Sequence, residues 1–94
     1  MTCVRLQGME ASDAETCWVG FSTFEPGGGA EMDATPIEKI YVVLSGAVTV
    51  ITEAESVTLG PKDSCVIAPN EARSVTNNSD SPATMLVIMP YAEG

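Results

Sequence analysis

The stretch 27-GGGAEMDATPIEKIYVVLSG-46 decides how this chain is read. Three glycines open it, and they admit backbone angles that other residues resist, so a turn is expected there. Residues 37–44, IEKIYVVL, then alternate as a strand with Lys39, Tyr41 and Val43 on one face and Glu38, Ile40 and Val42 on the other. Gly46 ends the strand at a tight turn, after which 47-AVTVIT-52 reads as a hairpin return. Asp33, Glu38, Lys39 and Tyr41 are the chemically distinctive side chains of the segment.

Working outward, the same grammar repeats. The segment 17-CWVGFSTF-24 is a strand by composition, with Cys17, Val19 and Phe21 on one face and Trp18, Gly20, Ser22 and Phe24 on the other. Residues 2–7 alternate weakly, as an edge strand would, and the polar residues 10–16 read as a loop or one helical turn. Beyond residue 52, short strands are expected at 56–59, 64–67, 73–77 and 83–89. Turn chemistry separates them at 60-GPKD-63, 68-APN-70 and 78–82. Asn70 suits a left-handed backbone, which few non-glycine residues tolerate. Seven to nine short strands without a convincing helix predict one all-β domain, a sandwich or barrel.

Composition bounds the function. The chain has 94 residues, a net charge of −9 and only four basic residues, Arg5, Lys39, Lys62 and Arg73. Nucleic acid is an unfavourable partner for such a surface, because its phosphates would be repelled. No apolar run approaches the roughly 20 residues of a membrane span, and residues 1–8 lack the pattern of a secretory signal. A cytoplasmic protein is therefore expected. Cys3, Cys17 and Cys65 are odd in number and lack metal-ligand spacing, so they read as reduced. The sequence contains no histidine.

Two spaced motifs resemble those of the cupins, the small double-stranded β-helix or jelly-roll barrels. In the first, G(X)5HXH(X)3,4E(X)6G, Gly27 and Gly46 stand at the glycine positions, Asp33 and Thr35 at the two histidines, and Lys39 at the glutamate. In the second, G(X)5PXG(X)2H(X)3N, Lys62 stands for the first glycine, Ala68 for the proline and Asn70 for the second glycine. Arg73 occupies the histidine position and Asn77 is retained. The resemblance covers residues 17–90 and implies a single cupin domain of the conserved-barrel type spanning 1–94, forming a homodimer as small cupins do. The longer spacing that the family allows would turn Met32 and Ala34 inward instead of Asp33 and Thr35, but it would need Pro26 as the opening glycine.

Most cupins hold a metal with three histidines and a glutamate, and the matching positions here read Asp33, Thr35, Lys39 and Arg73. Two of these are cations with no lone pair to offer when protonated, so no metal and no other cofactor is expected. Two of the four basic residues thus map to one cavity, which suits a carboxylate or enolate oxygen. Fixed cations there would stabilise negative charge developing on an oxygen. The site read from this pattern places Lys39, Asp33 and Tyr41 as catalytic acid–base groups, and Arg73 and Thr35 as substrate-binding groups. The partner expected is a small anionic molecule, and the reaction a metal-independent isomerisation, lyase step or decarboxylation. The alternatives are a binding module without turnover, or a filled barrel whose role is a protein contact; Lys39 would in the plainer reading merely neutralise Asp33 or Glu38.

Overall fold

In the computed structural model, the described residues, 2–91, contain nine strands and no helix. These are β1 (Thr2–Gln7), β2 (Cys17–Phe24), β3 (Gly29–Asp33), β4 (Lys39–Ser45), β5 (Val48–Thr52), β6 (Ser56–Leu59), β7 (Ser64–Ile67), β8 (Arg73–Thr76) and β9 (Ala83–Pro90). They form two antiparallel sheets, ordered β1-β2-β9-β4-β7 and β3-β8-β5-β6. Among these, β3 is the strand the sequence does not announce. It pairs with β8, and Gly29 lies so near the Val75 carbonyl that no side chain would fit.

The alternation predicted for β2 and β4 holds. In β4, Lys39, Tyr41 and Val43 are buried while Ile40 and Leu44 are exposed. Phe24, Val48, Val50, Leu59, Ile67, Val75, Ala83 and Met85 complete the core between the sheets. Two non-glycine residues in the second motif take left-handed backbones, Lys62 at φ 71° and Asn70 at φ 66°. These are the positions where the family places glycine, so the backbone shape survives although the residues changed. All three cysteines are free thiols.

The hairpin expected at Gly46 does not form. β4 pairs with β7 and β9, whereas β5 pairs with β6 and β8. Gly46 is where the chain steps from one sheet to the other, which lets Val43 and Val48 enter the core from opposite walls. Its φ is +72°, and a Cβ would sit 2.6 Å from the Pro82 carbonyl oxygen and 2.8 Å from Ala83 Cα. A glycine at this step is thus required twice, by backbone angle and by contact.

The outer face of the five-stranded sheet is uniformly uncharged in its centre. One cross-strand row runs Val4, Phe21, Leu86, Val42, Ser64, and the next runs Val19, Ile88, Ile40, Val66. Val4, Ile40 and Val66 are exposed on it, Val66 at 57%.

Candidate functional site

A cavity of about 500 Å³ opens between the sheets. Lys39 and Tyr41 project into it from β4, Arg73 from the start of β8, and Thr35 from the loop before β4. Strand alternation places Lys39 and Tyr41 two residues apart on one face. Thr35 is held in place by its backbone, whose carbonyl accepts a hydrogen bond from Asn70 N at 2.6 Å. The left-handed turn at Asn70 points that N–H toward Thr35, so the second motif's turn fixes the first motif's loop.

Arg73 and Tyr41 form one unit. Arg73 Nε donates to Tyr41 Oη at 2.6 Å, and Arg73 Nη1 donates to the Glu31 carbonyl at 3.1 Å. Tyr41 is only 2% exposed, and burial raises its pKa above the usual 10.0, an effect that the hydrogen bond from Arg73 opposes.

Lys39 is 4% exposed. Among the described residues its side chain makes neither a hydrogen bond nor an ion pair; the ion pair found among them joins Arg5 to Glu10 at 3.1 Å. Among the described residues no sealed side-chain polar atom lacks a partner, so Lys39 Nζ opens onto the cavity rather than being shut in the core. Burial lowers its pKa from 10.5, Arg73 lowers it further, and Asp33 partly opposes both. Neutralisation of Lys39 by a contacting Asp33 or Glu38 is not what the structure shows.

Asp33 is where the expected site departs from the observed one. It is exposed at the end of β3, its Oδ1 accepts from Ala34 N at 2.9 Å, and it lines a separate shallow depression with Glu31, Met32 and Arg73. Met32 is also exposed, at 49%, so neither inward register of residues 31–34 is realised and Met32 is not core packing. The β3–β8 register shifts between Ala30 and Asp33, and this irregularity turns the segment outward. Asp33 therefore acts on Lys39 only through space.

The cavity's rim is built from residues that no local pattern groups together. Trp18 and Ser22 line the cavity from β2, and the Arg5 guanidinium lies 4.5 Å from the centroid of the Trp18 ring. Glu10 lines the same space and is tied to Arg5. Period-two counting back from Phe24 places Trp18 and Ser22 inward, but nothing in the sequence brings residues 5 and 10 to them. Cys65 stands behind Tyr41 in β7; burial first, and Glu71 second, raise its thiol pKa, which suits packing rather than nucleophilic chemistry.

The positions where the fold family carries metal ligands do not suit a divalent cation. Lys39 and Arg73 bring positive charge, Thr35 a neutral hydroxyl, and Asp33 lies outside the cavity. Among the described residues no three His, Cys, Asp or Glu side chains gather as a ligand set.

Comparison with known proteins agrees with this architecture. A protein of Mycobacterium tuberculosis named a beta-D-galactosidase is 42% identical over 95 residues, covering 99% of this chain and 82% of its own length. A cupin superfamily protein of Desulfitobacterium hafniense superposes with a TM-score of 0.81 at 13% identity, covering 97% of this chain and 77% of that one. The polyketide cyclase RemF of Streptomyces resistomycificus gives 0.83 at 17% identity, over 94% of this chain and 63% of its own. These two show a shared fold. The family described as Cupin domain matches residues 20–89, and with the two-sheet barrel and both motifs in place the chain belongs to the cupins, as a member without the usual histidine and glutamate ligands.

Proposed function

We propose that this cupin is an acid–base enzyme that binds a sugar-sized anionic substrate in its barrel and works without a metal. The observation that carries this reading is Lys39, 4% exposed as a residue, whose Nζ opens without a hydrogen-bond or ion-pair partner onto a cavity of about 500 Å³ beside the Arg73–Tyr41 hydrogen bond. A partly desolvated cation beside a second cation, with no carboxylate in contact, has a lowered pKa, and such perturbed groups cluster in functional clefts. Arg73 holds the anionic group, Thr35 orients the substrate, and Lys39 exchanges a proton with the reacting carbon or oxygen. Tyr41 serves as the acid, and Asp33 tunes Lys39 through space. The reaction is one that builds negative charge, by isomerisation, elimination or decarboxylation. The Mycobacterium tuberculosis relative's name supplies the substrate class, a galactose-type sugar. An open cavity that carries Lys39, Tyr41 and Arg73 among its largely apolar lining favours ligand chemistry over a filled barrel that serves only protein contacts.

Thermal-shift measurements against galacturonate, glucuronate and galactose 6-phosphate test this. A bound acid at about 100 times its Kd is expected to raise Tm by about 10 °C, and the rise disappears in Arg73→Met and Lys39→Met. If both variants respond like the parent protein, the cationic cavity is not the site.

The uncharged outer sheet face fits a second copy of the chain. A molecule of net charge −9 repels its own copies except where charge is absent, and a two-fold axis would lay the two apolar rows against themselves. Light scattering is expected to report a dimer that Ile40→Glu with Val66→Glu converts to monomer while the circular dichroism spectrum is kept. A parent protein that is monomeric at tens of micromolar would rule this interface out.

A further inference from the structure

The charge lining the cavity constrains which bond of a sugar can be broken there. Hydrolysis of a glycoside passes through an oxocarbenium-like state, positive at the anomeric carbon, and ordinarily uses two flanking carboxylates. Three cationic side chains line this cavity: Lys39 and Arg73, neither in an ion pair, and Arg5 at the rim. Its one lining carboxylate, Glu10, is 72% exposed at the rim and already paired with Arg5. Positive charge would be destabilised in such a site, whereas negative charge spreading onto a carboxylate would be stabilised.

Resting on the sugar-acid reading above, we propose that the substrate is a hexuronide and that its glycosidic bond is broken by β-elimination rather than by hydrolysis. Arg73 faces the carboxylate. Of its five N–H donors, one goes to Tyr41 and one to Glu31, which leaves three for a substrate. Lys39, cationic at rest, acts in the fraction of molecules where it is neutral, and there its amine removes the proton from C5, the carbon next to the carboxylate. The electron pair left behind forms the C4=C5 double bond, and the C4–O bond breaks with its pair leaving on the glycosidic oxygen. That oxygen takes the Tyr41 hydroxyl proton. Tyr41 Oη accepts from Arg73, and no acceptor among the described residues takes its own hydrogen, so the proton is free to be given. The Lys39 ammonium then returns its proton to the tyrosinate, and the site is restored without water entering the broken bond. The depressed pKa of Lys39 increases the neutral fraction needed for the first step.

The full chain is incubated in oxygen-18-labelled water with trigalacturonate, with a glucuronate-bearing disaccharide, and with lactose as the neutral β-galactoside. The expected result is fragments from a uronide that carry a C4=C5 double bond absorbing in the short-wavelength ultraviolet and no label beyond the slow exchange at free anomeric hydroxyls, with lactose untouched. Tyr41→Phe is expected to keep the uronide-induced thermal shift and to lose about 100-fold or more in rate. Saturated, labelled fragments from any of the three sugars would overturn elimination in favour of hydrolysis. Uronides that raise Tm yet stay intact would overturn elimination alone and leave the anion-binding cavity standing. Uronides that neither shift Tm nor react would overturn both readings together.

Discussion

Lys39→Met is expected to yield a protein that unfolds at higher temperature and turns over its substrate at least about 100-fold more slowly. The two effects share one cause. Lys39 is 4% exposed and lacks a contacting carboxylate, so its ammonium is held in the cavity wall at the expense of stability. Methionine has a similar length and no charge, so the substitution removes a partly desolvated ammonium whose charged form folding disfavours. Proton transfer at the reacting carbon is lost with the amine, and a positioned acid or base is worth about 100-fold or more. A mere packing role for Lys39 would leave the rate unchanged once stability is accounted for.

The stability gain also depends on pH. Folding lowers the Lys39 pKa below 10.5, so between the folded value and 10.5 the unfolded chain binds a proton that the folded chain lacks. Parent stability therefore rises with pH through that window. Below it both states are protonated and the full penalty applies; above 10.5 none remains. The advantage of Lys39→Met is thus largest at neutral pH and shrinks toward pH 10.5. Denaturant titrations of both proteins across this range check the trend, and an advantage that stayed constant with pH would show that Lys39 carries no burial penalty.

Asn77→Ala is expected to cost about 3 kcal/mol, lowering Tm by on the order of 15 °C. Asn77 is fully buried, and its side chain joins three segments. Nδ2 donates to the Phe24 carbonyl at 3.0 Å and to the Ser81 carbonyl at 2.8 Å. Oδ1 accepts from Ser79 N at 2.9 Å and from Ser79 Oγ at 2.7 Å. Its backbone also exchanges bonds with the glycine turn, Gly27 N to Asn77 O and Asn77 N to Gly28 O. Alanine keeps the backbone pair but strands the Phe24 carbonyl in the interior and leaves a void. Asn77→Asp keeps the acceptor while facing two carbonyls with a second oxygen, so it is expected to be no better than alanine. Thermal unfolding of the two variants reads this directly, and a loss below about 1 kcal/mol would show that the network is rehydrated rather than sealed.

Much of the barrel is legible because strand periodicity is local. The two faces of β2 and β4 follow from side-chain alternation alone, and so does the company of Lys39 with Tyr41 and Val43. The left-handed turn at Asn70 follows from residue chemistry, and Asn77 from motif spacing. What local pattern cannot supply is the partner of each strand. Ser45-Gly46-Ala47 has the look of a hairpin turn, yet Pro82 and Ala83 packed on Gly46 make it a crossing between sheets. That contact joins residues far apart in the chain, and nothing near Gly46 encodes it.

The site divides along the same line. The sequence by itself determined the barrel, the replacement of the family's metal ligands, and the inward setting of Lys39 and Tyr41, because these depend on alternation and motif spacing. Only the tertiary structure decided that Asp33 lies outside the cavity, through the irregular pairing of β3 with β8. Only it joined Arg73 to Tyr41, left Lys39 unpaired, and brought Arg5, Glu10 and Trp18 together at the rim. Charge pairing and cavity shape arise from contacts between strands distant in sequence, and those contacts exist only once both sheets have closed.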